Sequence, residues 1–318
     1  MSARIPDFFI VGHPKSGTTA LYEMLKHHPQ IFMPDLKEPR FLASDLHSRF
    51  APTGSSAVPQ TLDEYLALFA PAQPEQRVGE ASPSYLRSRV AAAAIAELQP
   101  EARIIAILRE PADFLRSLHL ELLQNRVEGE PDLRRAIAAE GVAAAEWARD
   151  AAEQTDEPLL RYTDRVRYVE QLGRFRERFG AEQMLVLIYD DFRRENEQTV
   201  RRVLRFLEVD DRVRVQSIEA NPTVGLRSRR ADDLVRSLYA GSNPTARLVK
   251  ATATRILPAR ARSELLPAIR RRLVYGKPPP PDKELMRDLR SRFKGEVIAL
   301  GEYLQRDLLE LWGYSEID

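Results

Sequence analysis

Phe8-Phe9-Ile10-Val11-Gly12-His13-Pro14-Lys15-Ser16-Gly17-Thr18-Thr19-Ala20-Leu21 is the stretch from which the rest of the chain is read. Four apolar residues of buried-strand character run into a turn with two glycines and a lysine, and the turn opens a helix carrying Leu21, Met24 and Leu25 on one face. The order is strand, loop, helix. Glycine lets successive backbone N–H groups converge on one oxyanion, the positive end of the helix dipole adds to the attraction, and Lys15 supplies a full charge.

The same order recurs downstream. Arg103-Ile104-Ile105-Ala106-Ile107-Leu108 is a nearly unbroken apolar run of the sort buried on both faces of a parallel sheet. It ends in Arg109-Glu110-Pro111 and is followed by a helix with Phe114, Leu115, Leu118 and Leu122. Met184 to Tyr189 is another buried strand, with an amphipathic helix expected after it through Leu207, and Arg77-Val78-Gly79-Glu80 reads as a short strand. An alanine-rich helix is expected from about Arg87 to Leu98, and another from Tyr168 to Phe179. Alternating strands and helices predict an α/β fold with a doubly wound parallel sheet. The chain is expected to be a single domain over residues 1–318, with a core at about 6–210 and a basic loop and helical part at about 211–318 packed on it.

Composition narrows the functions. With 48 basic and 47 acidic side chains the net charge is +1, which argues against a dedicated nucleic-acid or anionic-membrane surface. The absence of cysteine excludes disulfides and thiolate metal sites, and the five histidines show no H-E-x-x-H pairing, so no metal is expected. The amino terminus enters the first strand without a basic region or apolar signal core, and no apolar run approaches the roughly 20 residues needed to span a bilayer. A soluble, cytoplasmic protein is the expectation.

Gly12 to Thr19 fits the phosphate loop of nucleotide hydrolases and kinases, G-x-x-x-x-G-K-[ST], at every position but one: Thr18 stands in the lysine position, and Lys15 lies three residues earlier. This displaced-lysine loop, Pro14-Lys15-Ser16-Gly17-Thr18-Thr19, resembles the 5′-phosphosulfate loop of sulfotransferases that use 3′-phosphoadenosine 5′-phosphosulfate (PAPS). Arg109 and Ser117, eight residues apart across the turn after the buried strand, match that family's 3′-phosphate pattern, R-[DE]-P followed by serine. Lys37-Glu38-Pro39-Arg40-Phe41 resembles the K-E-P-x-F-F segment of the Golgi-type and bacterial members, in which the glutamate is the base. Taken alone, it reads first as a solvated charge pair in a loop.

Gly79-Glu80-Ala81-Ser82-Pro83-Ser84-Tyr85 resembles the family's G-E-[KA]-[ST]-P-x-Y segment, which lines the acceptor site and so implicates Ser82 and Tyr85 beside Lys37. Ala81 stands where the heparan-sulfate branch has a lysine, which argues against an anionic polysaccharide acceptor. Gly225 and the cluster containing Arg227 and Arg229 lie where the family has a basic loop closing over the 3′-phosphate. Tyr168 matches a recurring family tyrosine without a firm role. His13 and His119 are set aside as bases: the first points away from the loop's ligand side, and the second packs on its helix.

The resemblance implies transfer of a sulfuryl group from PAPS to a hydroxyl or amine of a small-molecule, lipid or glycan acceptor. Lys15, Ser16, Gly17, Thr18 and Thr19 would hold the phosphosulfate, Lys15 would stabilise the leaving oxygen, and Glu38 would take the proton. Two other readings stay open on the residues alone. One is a small-molecule kinase using Mg-ATP, which the Thr18 position opposes; the other is a nucleotide-binding protein without turnover.

Overall fold

The structure, a computed structural model, describes residues 4–46, 58–140, 161–213, 218, 225–226 and 275–317. Arg227 and Arg229 lie outside the described residues. The chain gathers into two compact units. One comprises Met1–Leu115, Asp132–Asn221 and Lys283–Asp318; the other comprises Arg116–Pro131 and Pro222–Asp282.

The first unit holds a five-stranded, all-parallel sheet: β1 (Phe8–Gly12), β2 (Ile31–Phe32), β3 (Arg77–Ala81), β4 (Arg103–Leu108) and β5 (Met184–Ile188), in the order β2-β3-β1-β4-β5. The expected α/β fold with a parallel sheet is the fold observed. From β1 the chain runs to β2 at the sheet edge, comes back to β3 beside β1 and then crosses to β4 on the other side of β1, so the order reverses between β1 and β4, where open α/β sheets bind ligands beyond the carboxyl ends of their strands. Phe8 stands opposite Arg103 and Ile10 opposite Ile105, and then the register shifts so that Gly12 faces Ala106.

Phe8, Phe9, Ile10 and Val11 have no solvent exposure, and burying each side chain contributes about 1.5–3 kcal/mol. On one face Phe8, Ile10, Ile105 and Ile107 meet helix α1 (Thr18–Lys26) through Leu21, Met24 and Leu25. Helix α2 is Leu62–Ala67, α3 is Ala91–Leu98, α4 is Pro111–Asn125 and α5 is Tyr168–Arg176. The helix expected from Arg87 starts later, because a 3-10 turn at Tyr85–Arg87 comes first and Ser88 Oγ then accepts from the amides of Val90 (3.2 Å) and Ala91 (3.0 Å). The helix expected through Leu207 is two, α6 (Tyr189–Arg194) and α7 (Asn196–Phe206), separated where Glu195 leaves the helical region at φ −123°, ψ 54°.

Helix α8 (Lys283–Leu304) and α9 (Leu308–Trp312) close the first unit. Residues in and beside them bond to those that follow β4 and β5: Tyr314 Oη hydrogen-bonds Glu110, Trp312 Nε1 donates to Asp190 Oδ2 at 2.9 Å, and Arg306 Nη2 donates to Asp191 Oδ1 at 2.8 Å. In the second unit, β6 (Gly225–Leu226) pairs antiparallel with β7 (Tyr275–Gly276). Among the described residues no helix is long and apolar enough to cross a membrane.

Candidate active site

The loop after β1 is built around Gly17, which caps α1 in the left-handed conformation at φ 86°. A Cβ there would lie 2.9 Å from Phe192 Cδ1, so glycine is required both for the backbone angle and for space. Lys15 also adopts φ 60°, a conformation that costs a non-glycine residue about 1–3 kcal/mol and that clusters at ligand sites. Ser16 is fully buried, and its Oγ donates to the Pro14 carbonyl at 3.3 Å. Thr18 and Thr19 open α1, where the first amides of a helix have no intrahelical acceptor and face the loop.

The turn after β4 meets this loop. Arg109 Nη1 donates to the Lys15 carbonyl at 3.1 Å, and its guanidinium lies 4.9 Å from the centre of the Tyr189 ring. Tyr168 Oη donates to the Arg109 carbonyl at 2.9 Å, a contact that gives this tyrosine a place in holding the turn. The next residue, Glu110, caps α4 by accepting from the amides of Ala112 (3.2 Å) and Asp113 (2.6 Å), so the acid after Arg109 is structural. Ser117 and His119 are buried on α4; both belong to the second unit, and His119 Nε2 meets the Pro131 carbonyl at 3.3 Å.

A second cluster forms where Lys37–Leu42 runs alongside Ala81–Tyr85. The amides at alternate positions donate across: Glu38 to the Ala81 carbonyl (3.0 Å), Arg40 to Ser82 Oγ (3.1 Å) and Leu42 to Tyr85 Oη (3.2 Å). These bonds hold Glu38 at φ 60° and Arg40 at φ 55°. The Glu38 carboxylate takes Lys37 Nζ at 2.6 Å on one oxygen and Arg40 Nη2 at 2.5 Å on the other. Burial pushes its pKa up, but the charges and hydrogen bonds of Lys37 and Arg40 outweigh burial and hold it below the ordinary carboxylate range. Glu38 is therefore ionised at neutral pH.

Glu80 lies in the same cluster and went unread in the sequence beyond its place in a motif. It is fully buried; Oε2 accepts from Tyr65 Oη at 3.0 Å, and Oε1 has no hydrogen-bond partner among the described residues. Burial pushes its pKa up to about 7, the hydroxyls of Ser82, Tyr85 and Tyr65 pulling down and the negative charge of Glu38 pushing up. Nothing in the sequence distinguished it from any strand glutamate.

His13 sits behind the loop. Gln171 Nε2 donates to the carbonyls of Asp164 (3.0 Å) and Arg165 (3.2 Å), so its Oε1 is left to accept from His13 Nε2 at 2.8 Å. Burial lowers the His13 pKa to about 3 against the Gln171 hydrogen bond, with the positive charges of Arg165 and Arg87 adding to the drop. A neutral, buried imidazole held in this way is no base for a bound acceptor.

The model of the sulfotransferase family matches residues 6–212. Among solved structures, a sulfotransferase from Alicyclobacillus acidocaldarius superposes with a TM-score of 0.59 at 31% identity, covering 73% of this chain and 91% of that one. Human heparan sulfate glucosamine 3-O-sulfotransferase 6 is 28% identical over 148 residues, 46% of this chain. Heparan sulfate glucosamine 3-O-sulfotransferase 3A1 of Mus musculus is 28% identical over 125 residues, 39% of this chain. The matched segments span only 39% and 28% of those relatives' own lengths. With the family model covering well over half of its length on a parallel α/β sheet, this chain belongs to the sulfotransferase family.

Proposed function

We propose that the chain transfers the sulfuryl group of PAPS to a hydroxyl or amine of an acceptor. The observation that carries this reading is the Arg109–Lys15 hydrogen bond, which joins the charged residues after β1 and β4 at the point where the strand order reverses. The phosphosulfate fits the loop Lys15 to Thr19, whose left-handed Gly17 and helix-opening amides form an anion cradle. Arg109 supplies a guanidinium fork for a phosphate. The resemblance, and not the geometry, gives Ser117, Arg227 and Arg229 their part in holding the 3′-phosphate, and makes 1–318 one functional domain.

PAPS, when bound, supplies the sulfuryl group and a bisphosphate leaving group. Glu38, ionised and held in place by Lys37 and Arg40, takes the acceptor proton as the new S–O bond forms. Lys15 stabilises the charge that builds on the departing bridging oxygen, and the loop amides share it. These cationic and dipolar groups neutralise the charge that Mg²⁺ handles in phosphoryl transfer, so the scheme needs no metal. The resemblance, and not the geometry, gives Lys37, Ser82 and Tyr85 their part on the acceptor side; Ser82 Oγ and Tyr85 Oη accept from the amides of Arg40 and Leu42 in the segment that carries Glu38. Incubation of the purified chain with PAPS and a panel of phenols, alcohols, amines and sugars, scored for bisphosphate release, tests the reading. Release that depends on both an acceptor and Glu38 supports it, and PAPS binding without turnover on any of them counts against it.

A further inference from the structure

We propose that Glu80 is a positioning residue for Glu38, holding the segment that carries the base through three side chains that converge on its carboxyl. The inference rests on the reading of Glu38 as the base and names a further residue on which that reading depends. Glutamate is almost never fully buried without a partner, yet Glu80, near the end of β3, has no solvent exposure. With no exposed surface it does not meet an acceptor itself and acts through its neighbours.

Three hydroxyls act on this carboxyl. Oε2 accepts from Tyr65 Oη at 3.0 Å, and the hydroxyls of Ser82 and Tyr85 stabilise the charged form. All three residues are buried, and each contacts one of three consecutive residues just beyond Glu38. Ser82 Oγ accepts from the Arg40 amide at 3.1 Å, and Tyr85 Oη accepts from the Leu42 amide at 3.2 Å. Between them the Phe41 ring stacks on Tyr65, with centres 4.9 Å apart and planes inclined by 16°. One carboxyl thus lies behind the contacts of Arg40, Phe41 and Leu42.

A hydroxyl has one proton and two lone pairs, and the direction taken by the proton decides where the lone pairs point. An acceptor at Glu80 draws the hydroxyl protons and leaves the lone pairs of Ser82 Oγ and Tyr85 Oη for the two amides. Without that acceptor the buried hydroxyls stay unsatisfied or turn. The held segment needs such support, because Glu38 at φ 60° and Arg40 at φ 55° adopt conformations that non-glycine residues keep only when their surroundings over-determine them. Arg40 is the link to the base: its amide is on Ser82, and its guanidinium is on the Glu38 carboxylate. The contacts from Glu80 through Ser82 and Arg40 therefore fix where that carboxylate sits, and proton transfer depends on its position.

Two variants test this in the whole chain. Glu80→Leu removes the acceptor and keeps the bulk, whereas Glu80→Gln keeps an acceptor oxygen for Tyr65. Amide hydrogen exchange is the first readout. Expected is exchange at the Arg40 and Leu42 amides faster by about tenfold or more in Glu80→Leu, and within about threefold of the unaltered chain in Glu80→Gln. Turnover of PAPS is the second. Glu80→Leu should lower kcat by about tenfold or more with KM for PAPS unchanged, and should have no further effect when added to Glu38→Gln, since no base is then left to position. A purely structural role lowers turnover by the same factor in both backgrounds. That result, or unaltered exchange at the two amides in Glu80→Leu, overturns the proposal. If the thermal midpoint shows that Glu80→Leu does not fold, Tyr65→Phe decides on the same readouts, because it keeps the ring on Phe41 and removes a hydroxyl from Glu80. Absence of turnover in the unaltered chain defeats the sulfotransferase reading, while exchange, which needs no turnover, still decides whether Glu80 holds the segment.

Discussion

Arg109 donates from Nη1 to the carbonyl oxygen of Lys15 at 3.1 Å, joining two residues 94 positions apart in the chain. Their strands are neighbours: β1 pairs with β4, with a shift of register between Ile10 and Gly12 just before the loop. A ligand seated on one of these residues is within reach of the other. In the proposed donor site Lys15 would contribute its backbone carbonyl, as a partner of Arg109, as well as its ammonium.

Gly17→Ala introduces a Cβ at φ 86° and 2.9 Å from the Phe192 ring. The backbone strain alone costs about 1–3 kcal/mol, so urea unfolding should show a loss of that size and 3′,5′-adenosine bisphosphate should bind more weakly. A variant with unaltered stability and affinity would show that the loop does not depend on this geometry.

Glu38→Gln keeps the shape of the base and removes its charge. Turnover should fall about 10²- to 10⁴-fold, with the affinity for adenosine bisphosphate unchanged. The pKa of Glu38 is held below its ordinary 4.5, so the carboxylate stays ionised as pH falls through that range. Its protonation should not limit the rate between pH 6 and 8, and its stabilising contribution, complete above pH 4.5, is lost only as pH falls through the depressed folded value. A rate that titrates near neutrality and loses that titration in Glu38→Gln would contradict this assignment.

Glu80 behaves in the opposite sense. Its folded pKa of about 7 lies above the ordinary 4.5, so between these values the folded chain keeps a proton that the unfolded chain has released. Stability therefore falls as pH rises from 4.5 to 7. Glu80→Gln should remove that slope and gain at most about 3 kcal/mol at pH 8, read from urea midpoints across pH. Parallel profiles for the two proteins would mean that Glu80 is ionised throughout.

Tyr168→Phe deletes only the hydroxyl that donates to the Arg109 carbonyl at 2.9 Å. The expected cost is about 0.5–1.5 kcal/mol of stability, with a rise in KM for the donor larger than any fall in kcat. A fall in kcat alone would point to a direct part in the reaction instead.

What the sequence revealed and what it concealed divide on physical grounds. The strand-loop-helix order around Gly17 and the buried strand before Arg109 are local patterns, apolar periods joined by residues with special backbone freedom, and the observed sheet follows them. The motif singles out Glu38, but the bond from its amide to Ala81, across which its left-handed backbone is held, exists only once two distant segments lie side by side. Glu80 and Gln171 carried no local signal, because their burial arises from tertiary packing. The break at Glu195 has no glycine or proline to mark it in the sequence.

The most direct measurement is calorimetric titration of the purified chain with 3′,5′-adenosine bisphosphate, beside ATP with Mg²⁺, repeated on Arg109→Ala. Expected is micromolar, metal-independent binding of the bisphosphate, weak binding of ATP, and a roughly 10- to 150-fold loss in Arg109→Ala, equivalent to about 1.5–3 kcal/mol for a charge-assisted contact. Tight Mg²⁺-dependent ATP binding with no preference for the 3′-phosphate would contradict the donor assignment and make the Lys15 loop that of a kinase.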